Sequence, residues 1–277
     1  MIEALGSIVI LSAPLALASF GALTSEYAGR MAVFTDSIIN LSAFLCYAFT
    51  VLTNSVPAGI ALSCMSCVAF ICVASIVLER IRANQFLIAL GMNMLAGALV
   101  SVISVALFGT RGVLFSEQFA FPAFETRIAT TIAAIIALIA GAAFLFLTKY
   151  GLYIRITGSD HDVLTSRGVT VSHLRTASWG IAALYAALAG CALSFRLSSF
   201  VPNISSGRGW LALAAVFLGK RSCTGTLIAA FVMCAGEYAA AHMQNVFSYI
   251  SSPLLISLPY IVALLLILLM PGKNRNE

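Results

Sequence analysis

Apolar runs of membrane-spanning length decide what this chain can become. A helix needs about 20 apolar residues to cross roughly 30 Å of hydrocarbon. Runs near that length fall at 4–24, 32–52, 56–78, 86–108, 128–148, 176–196, 223–245 and 254–270. A ninth run, GWLALAAVFLG at 209–219, is too short to cross upright and reads as a half-helix or a tilted short span. Only 9% of the residues are charged, against about 25% in a soluble domain, so a water-soluble globule would lack polar surface to cover itself. The expected fold is all-α: a polytopic transmembrane helical bundle of 8–9 hydrophobic segments, one of them short and discontinuous, with 1–277 forming a single transmembrane domain. The net charge of +5 does not point to nucleic acid in such a chain, because the placement of Lys and Arg matters more than their sum.

That placement orients the bundle. If the loop at 149–175, with Lys149, Arg155, Arg167 and Arg175, is cytoplasmic, alternation puts Arg30, Arg80 and Arg82 on the same side. Counting 209–219 as a crossing adds Lys220, Arg221, Lys273 and Arg275, which leaves Arg111, Arg127, Arg196 and Arg208 outside. Eleven of 15 basic residues are then cytoplasmic, so nine segments are expected, with the N-terminus outside and the C-terminus inside. The first run opens on Glu3 rather than a basic stretch and continues to Leu23, which reads as a retained first helix rather than a signal peptide. Six of the seven cysteines sit in apolar runs, and Cys64-x-x-Cys67 has no second pair or histidine cluster to complete a zinc site; packing is the expected role.

One stretch breaks the apolar pattern. GSDHDVLTSRGV (158–169) carries the signals of a short capped helix. Ser159 can be its N-cap, with Asp162 closing a capping box; Asp160 and Asp162 lie near the positive end, Arg167 lies in the last turn, and Gly168 suits a left-handed C-terminal stop. A helix of two turns is marginal alone and has to dock. Val163 and Leu164 offer an apolar spot beside Arg167. The residues are compatible with a surface-lying connector or with a plug that fits a groove in a cytoplasmic partner.

The surrounding segment, KYGLYIRITGSDHDVLTSRGVTVSHLRTASWGIAALYAALAGCALS, resembles the main cytoplasmic loop and following helix of ABC importer permeases for ribose, nucleosides and branched-chain amino acids, with Gly151, Arg155, Gly158, Gly168 and Val169 at the family's positions. SGRGWLALAAVFLGKRSCTG (206–225) is similar to its Gly-x-Gly-Phe run of small residues. PLLISLPYIVALLLILL (253–269) is similar to its last helix, and SEYAG (25–29) to the loop after the first helix in the nucleoside branch. The resemblance covers residues 20–270. It implies a permease subunit that is not an enzyme and binds no cofactor. ATP would be used by a cytoplasmic ABC ATPase docked on Ser159, Asp160, Asp162, Val163, Leu164, Arg167 and Gly168. Further implied are a second permease subunit, in a heterodimer rather than a homodimer, an extracytoplasmic solute-binding protein, and residence in the bacterial inner membrane. The implied solute is a nucleoside or related purine, with a simple sugar next. One departure bears on that solute: the branch's Asn-Ile-Gly-x-Glu-Gly-like segment is replaced here by RMAVFTDSIINLSAF, with Thr35, Asp36, Ser37 and Asn40 in a region implied to border the pathway.

Polar residues inside apolar runs need a reason, because a charge at mid-bilayer costs about 2.5–3.5 kcal/mol on insertion scales. Asp36 either lines the pathway or sits at the interface; Glu237 either lines it or makes an interhelical hydrogen bond; Asn93 is either a solute contact or helix glue. GRGW (207–210) fails the phosphate-loop pattern at Ala212, and no Gly-x-Ser-x-Gly or His-Glu-x-x-His occurs. A secondary transporter, with Asp36 or Glu237 as its ion or proton site, is the alternative reading. YAGRMAVFTDS (27–37) and SSGRGWLALAA (205–215) echo each other, each following an apolar span.

Overall fold

Seven of the eight long apolar runs are helices in the structure, a computed structural model that describes residues 2–159, 161–166 and 168–246. The run at 254–270, together with Asp160 and Arg167, lies outside the described residues. The long helices are α1 (Ile2–Tyr27), α2 (Thr35–Thr53), α3 (Val56–Ile81), α4 (Gln85–Phe108), α5 (Ala123–Leu147), α8 (Val171–Leu197) and α10 (Cys223–Val246). Between them stand α6 (Lys149–Thr157), α7 (His161–Ser166) and the short apolar α9 (Arg208–Leu218). Among the described residues the chain is a polytopic helical bundle.

Local chemistry sets the breaks. Asn54 takes a left-handed φ of 52° after α2, and Pro57 opens the first turn of α3, where its missing N–H costs nothing. The Asn84 side chain accepts from Phe86 N at 2.9 Å to cap α4, which ends on Gly109 at φ 69°. Thr148 caps α6 by accepting from Gly151 N at 3.1 Å.

Helix α8 is the central post, with α1, α2, α3 and α5 packed around it. Its buried face is small: Ala182, Ala183, Ala186, Ala187, Gly190 and Ser194 are all enclosed. Lipid is as apolar as leucine, so helices in a membrane associate through close backbone approach rather than by escaping water. Gly190 shows this, because a Cβ there would collide with Ser42 Oγ and the Ile39 carbonyl of α2. The helices around the post present large side chains outward, such as Met65, Leu87, Met94, Ile136 and Ile139.

The segment 198–218 completes a crossing without one long helix. At one end of the bundle, Leu114 and Phe200 form an antiparallel backbone bridge (2.9 and 3.0 Å). Phe119 and Phe121 from the 109–122 loop pack there with Tyr47 and Phe195, while Phe115 and Phe124 stay exposed. At the other end, beyond α9, Arg221 pairs with Glu26 at the close of α1, 2.9 Å apart. Eleven residues of α9 span only about 16 Å at 1.5 Å each, and the non-helical 198–207 stretch covers the remainder. Left-handed φ values at Ser198, Asn203, Ser206, Lys220 and Arg221 flank this helix on both sides. Each costs roughly 1–2 kcal/mol for a residue with a Cβ and is held by the surrounding packing.

Candidate functional site

Two helices start inside the bundle, and their N-termini meet. Of the residues from Ala28 to Phe34, all but Gly29 and Met31 are buried before α2 begins, and α9 begins at Arg208 after the 198–207 stretch. Each therefore brings up to four N–H groups with no intrahelical partner into a region poor in water. Neither helix is capped by its own N-cap side chain: Phe34 precedes α2 and Gly207 precedes α9. Both are capped from elsewhere. Asp36 Oδ1 accepts from Gly209 N at 3.0 Å, placing a carboxylate at the positive end of α9. Asn93 Oδ1, on α4, accepts from Ser37 N at 3.0 Å in the first turn of α2. Asn40 closes the junction: its Oδ1 accepts from Ser205 N (3.0 Å) and its Nδ2 donates to Ser205 Oγ (2.9 Å). Gly209 has to lack a side chain, because a Cβ there would overlap the backbone of Asp36. The two echoing segments of the sequence thus face each other, at Asp36 and Gly209.

Glu237, the fourth polar residue singled out, stands apart from that junction. Its Oε2 lies 3.9 Å from Nη2 of Arg208, which lines a cavity of about 850 Å³. The first half of α1, the start of α5, the end of α8, the 201–208 stretch and Tyr238 on α10 line that cavity. The sequence offered no sign that Arg127, Arg196 and Arg208 meet there.

The end of the bundle bearing α6 and α7 is tied together by backbone and charge. Gly158 N donates to the Tyr27 carbonyl at 3.1 Å, and a Cβ on Gly158 would strike that carbonyl and Gly29 N. Ser159, expected as the N-cap of α7, sends its hydroxyl back to the Ile156 carbonyl at 3.2 Å, so it finishes α6. Gly168 has φ 75°, its N–H bonds to Thr165 O, and Val169 N bonds to Leu164 O. The apolar spot expected on α7 is split. Val163 is 43% exposed, but Leu164 is 1% exposed and packs into the chain's own core. That corrects its expected place on the docking surface. With so short a helix, burying one leucine, worth about 1.5–3 kcal/mol, is what keeps α7 on the bundle. The side chains of Asp160, Asp162 and Arg167 lie outside the described residues.

Sequence reading missed a buried ion pair at this end. Arg30, 5% exposed, pairs with Glu79 of α3, donates to Ser75 Oγ at 3.0 Å and stacks over Trp179 at 5.3 Å. Arg30 had counted only as one more cytoplasmic basic residue, and no spacing links positions 49 apart.

The described residues form a polytopic bundle in which two helices start at a junction between spans. The profile of the family described as "Branched-chain amino acid transport system / permease component" matches residues 4–271, and the chain belongs to that family. It is 26% identical over 237 residues to TsgC13 of Haloferax volcanii, a permease named for glucose, covering 79% of this chain and 70% of that one. It is 24% identical over 285 residues to the guanosine ABC transporter permease NupQ of Bacillus subtilis, covering 93% of this chain and 88% of that one. Among solved structures, PsaBC from Streptococcus pneumoniae in complex with Fab shares the fold: the TM-score is 0.52 at 14% identity, over 97% of this chain and 92% of that one. The chain is thus a multi-pass permease component of this transport family.

Proposed function

We propose that this chain is one membrane-embedded half of a bacterial inner-membrane importer for a small polar solute, a nucleoside or purine in first place and a simple sugar next. A separate cytoplasmic ABC ATPase drives it, and this chain binds no cofactor. A second, different permease subunit completes the path, and an extracytoplasmic binding protein delivers the solute. The observation that carries this reading is the contact of Gly158 with Tyr27. Through it a force on α6 and α7 reaches α1 by backbone contact, without a flexible side chain between. From α1 the Glu26–Arg221 pair leads to the turn before α10, and so to the lower end of α9. The upper end of α9 rests on Asp36 and Asn40. A rigid α7 pushed by the ATPase would shift α9 against α2, and α9 is the element whose flanks hold the strained φ values. In this reading Glu237 borders the solute's route, while Asp36, Asn40 and Asn93 position the broken helices beside it.

The deciding experiment isolates the tagged chain in mild detergent and measures uptake of labelled guanosine and glucose in cells expressing the whole gene set. A co-purifying ATPase and ATP-dependent uptake are expected; uptake that persists without ATP but needs an ion gradient would favour a secondary transporter. Within the complex, Val163→Asp should release the ATPase while leaving the thermal midpoint of the permease unchanged, because Val163 is 43% exposed. Leu164→Asp should instead lower that midpoint. Equal behaviour of the two variants would show that α7 is only a connector.

Orientation is tested separately, on a background lacking the native cysteines. With 149–175 cytoplasmic, a cysteine at Ser116 should react with an impermeant thiol reagent in intact cells, and one at Ser159 only after lysis. The reverse pattern means the bundle is inverted.

A further inference from the structure

Among the described residues, the cavity lined by Arg208 gathers three arginines against one carboxylate approach, that of Glu237. Arg127 comes from the first turn of α5, Arg196 from the last turn of α8 and Arg208 from the first residue of α9, so three separate elements converge on it. Arg196 is held rigidly. Its Nη1 donates to the Ile10 carbonyl at 2.6 Å, Nε to Thr130 Oγ1 at 2.9 Å and Nη2 to Thr131 Oγ1 at 2.9 Å. All three acceptors are neutral, so they orient the guanidinium without cancelling its charge, and two of its five N–H donors remain. Arg127 and Arg208 line the same cavity. The one ion pair these arginines make among the described residues is the 3.9 Å approach of Arg208 to Glu237.

Assembling like charges at the end of a membrane bundle is unfavourable unless an anion joins them, since water and salt screen them poorly there. The rest of the lining suits a ligand with a body behind its charge. Leu11, Pro14, Leu193 and Phe124 are apolar, and Asn203 and Ser206 add polar groups along the 201–208 stretch. A volume of about 850 Å³ is of small-ligand size.

We propose that this cavity, at the end of the bundle opposite α6 and α7, binds an oxyanion group — phosphate or carboxylate on a larger body — between Arg127, Arg196 and Arg208. Arginine forks match such oxygens two at a time. Arg208 begins α9, so the bound anion would also bear on the half-helix. The inference does not depend on which solute is carried.

The test uses the purified full complex in phosphatidylcholine nanodiscs, with two probes for the two sources of such a group. Binding of inorganic phosphate is measured by its stabilisation against heat, and retained phosphatidylglycerol is measured by native mass spectrometry after purification from cells. We expect at least one probe to bind the native chain. We expect Arg127→Gln with Arg208→Gln to weaken it by at least about tenfold, since the pair of changes removes two of the three charged forks that hold the anion. Arg208→Lys alone should keep part of the binding, and Arg111→Gln, outside the cavity, should keep all of it. Phosphate binding points to a soluble anion; retained phosphatidylglycerol lost in the double variant points to a lipid headgroup. No binding of either probe to the native chain overturns the proposal, and so does equal binding by a double variant whose unliganded melting temperature is unchanged.

Discussion

A Gly209→Ala permease is expected to lose at least about tenfold of its solute uptake, a loss of roughly 1.4 kcal/mol or more in the working arrangement. In an ordinary helix the same change stabilises by about 0.5–1 kcal/mol, because alanine has less conformational freedom to surrender. Here the sign reverses. The new Cβ would lie inside the backbone of Asp36, and no side chain can rotate away to make room. Either α9 moves off α2 or the Asp36–Gly209 hydrogen bond opens, and an orphaned N–H in a membrane costs several kcal/mol. Gly97→Ala is the control: nothing lies within 4 Å of a Cβ there, so it should be neutral or slightly stabilising. The measurement is uptake per assembled complex, together with the thermal midpoint. Equal behaviour of the two alanine variants would falsify the close approach of α2 and α9. Asp36→Asn adds a finer cut. It keeps an acceptor for Gly209 N but removes the charge at the positive end of α9, so it should cost less than Asp36→Ala.

Glu79→Gln should lower the stability of the permease by about 2–3 kcal/mol. Removing one partner of a buried pair leaves the other charge without compensation, typically at about 3–5 kcal/mol. The lower figure applies because Glu79 retains 26% of its side-chain exposure, although Arg30 retains only 5%. Arg30 would keep Ser75 and the face of Trp179, neither of which carries a negative charge. The pair joins the 28–34 stretch to α3, so its loss should also loosen the entry into α2. Combining Arg30→Met with Glu79→Leu should recover most of the loss, since a well-packed apolar pair often matches a buried ion pair. Thermal unfolding of the three variants in one detergent checks this. Glu79→Gln melting like the native chain would show the pair contributing nothing.

Much of the architecture was legible before any coordinates. Seven of the apolar runs are helices at nearly the positions read from composition, and the short run at 209–219 is the half-helix its length implied. Gly168 was legible as a helix stop because left-handed φ is a local demand that glycine meets. The segment at 159–167 was read as a helix, and His161–Ser166 is one, but Leu164 faces the core rather than the surface. With one turn and a half, Val163 and Leu164 give no periodicity from which to tell inside from outside. Ser159 stands between two helices, and its hydroxyl bonds back to α6.

The sequence by itself determined where the chain crosses, where it breaks and which family it resembles, because hydropathy, glycine and capping chemistry act over a few neighbouring residues. Only the tertiary structure decided what the polar residues in those crossings do. Asp36 serves Gly209, 173 positions away, and Asn40 serves Ser205, 165 away. Arg127, Arg196 and Arg208 line one cavity although each belongs to a different helix. A side chain inside a membrane bonds whatever backbone or charge the neighbouring helix presents, and that neighbour is set by packing on α8, where small residues let the backbones close.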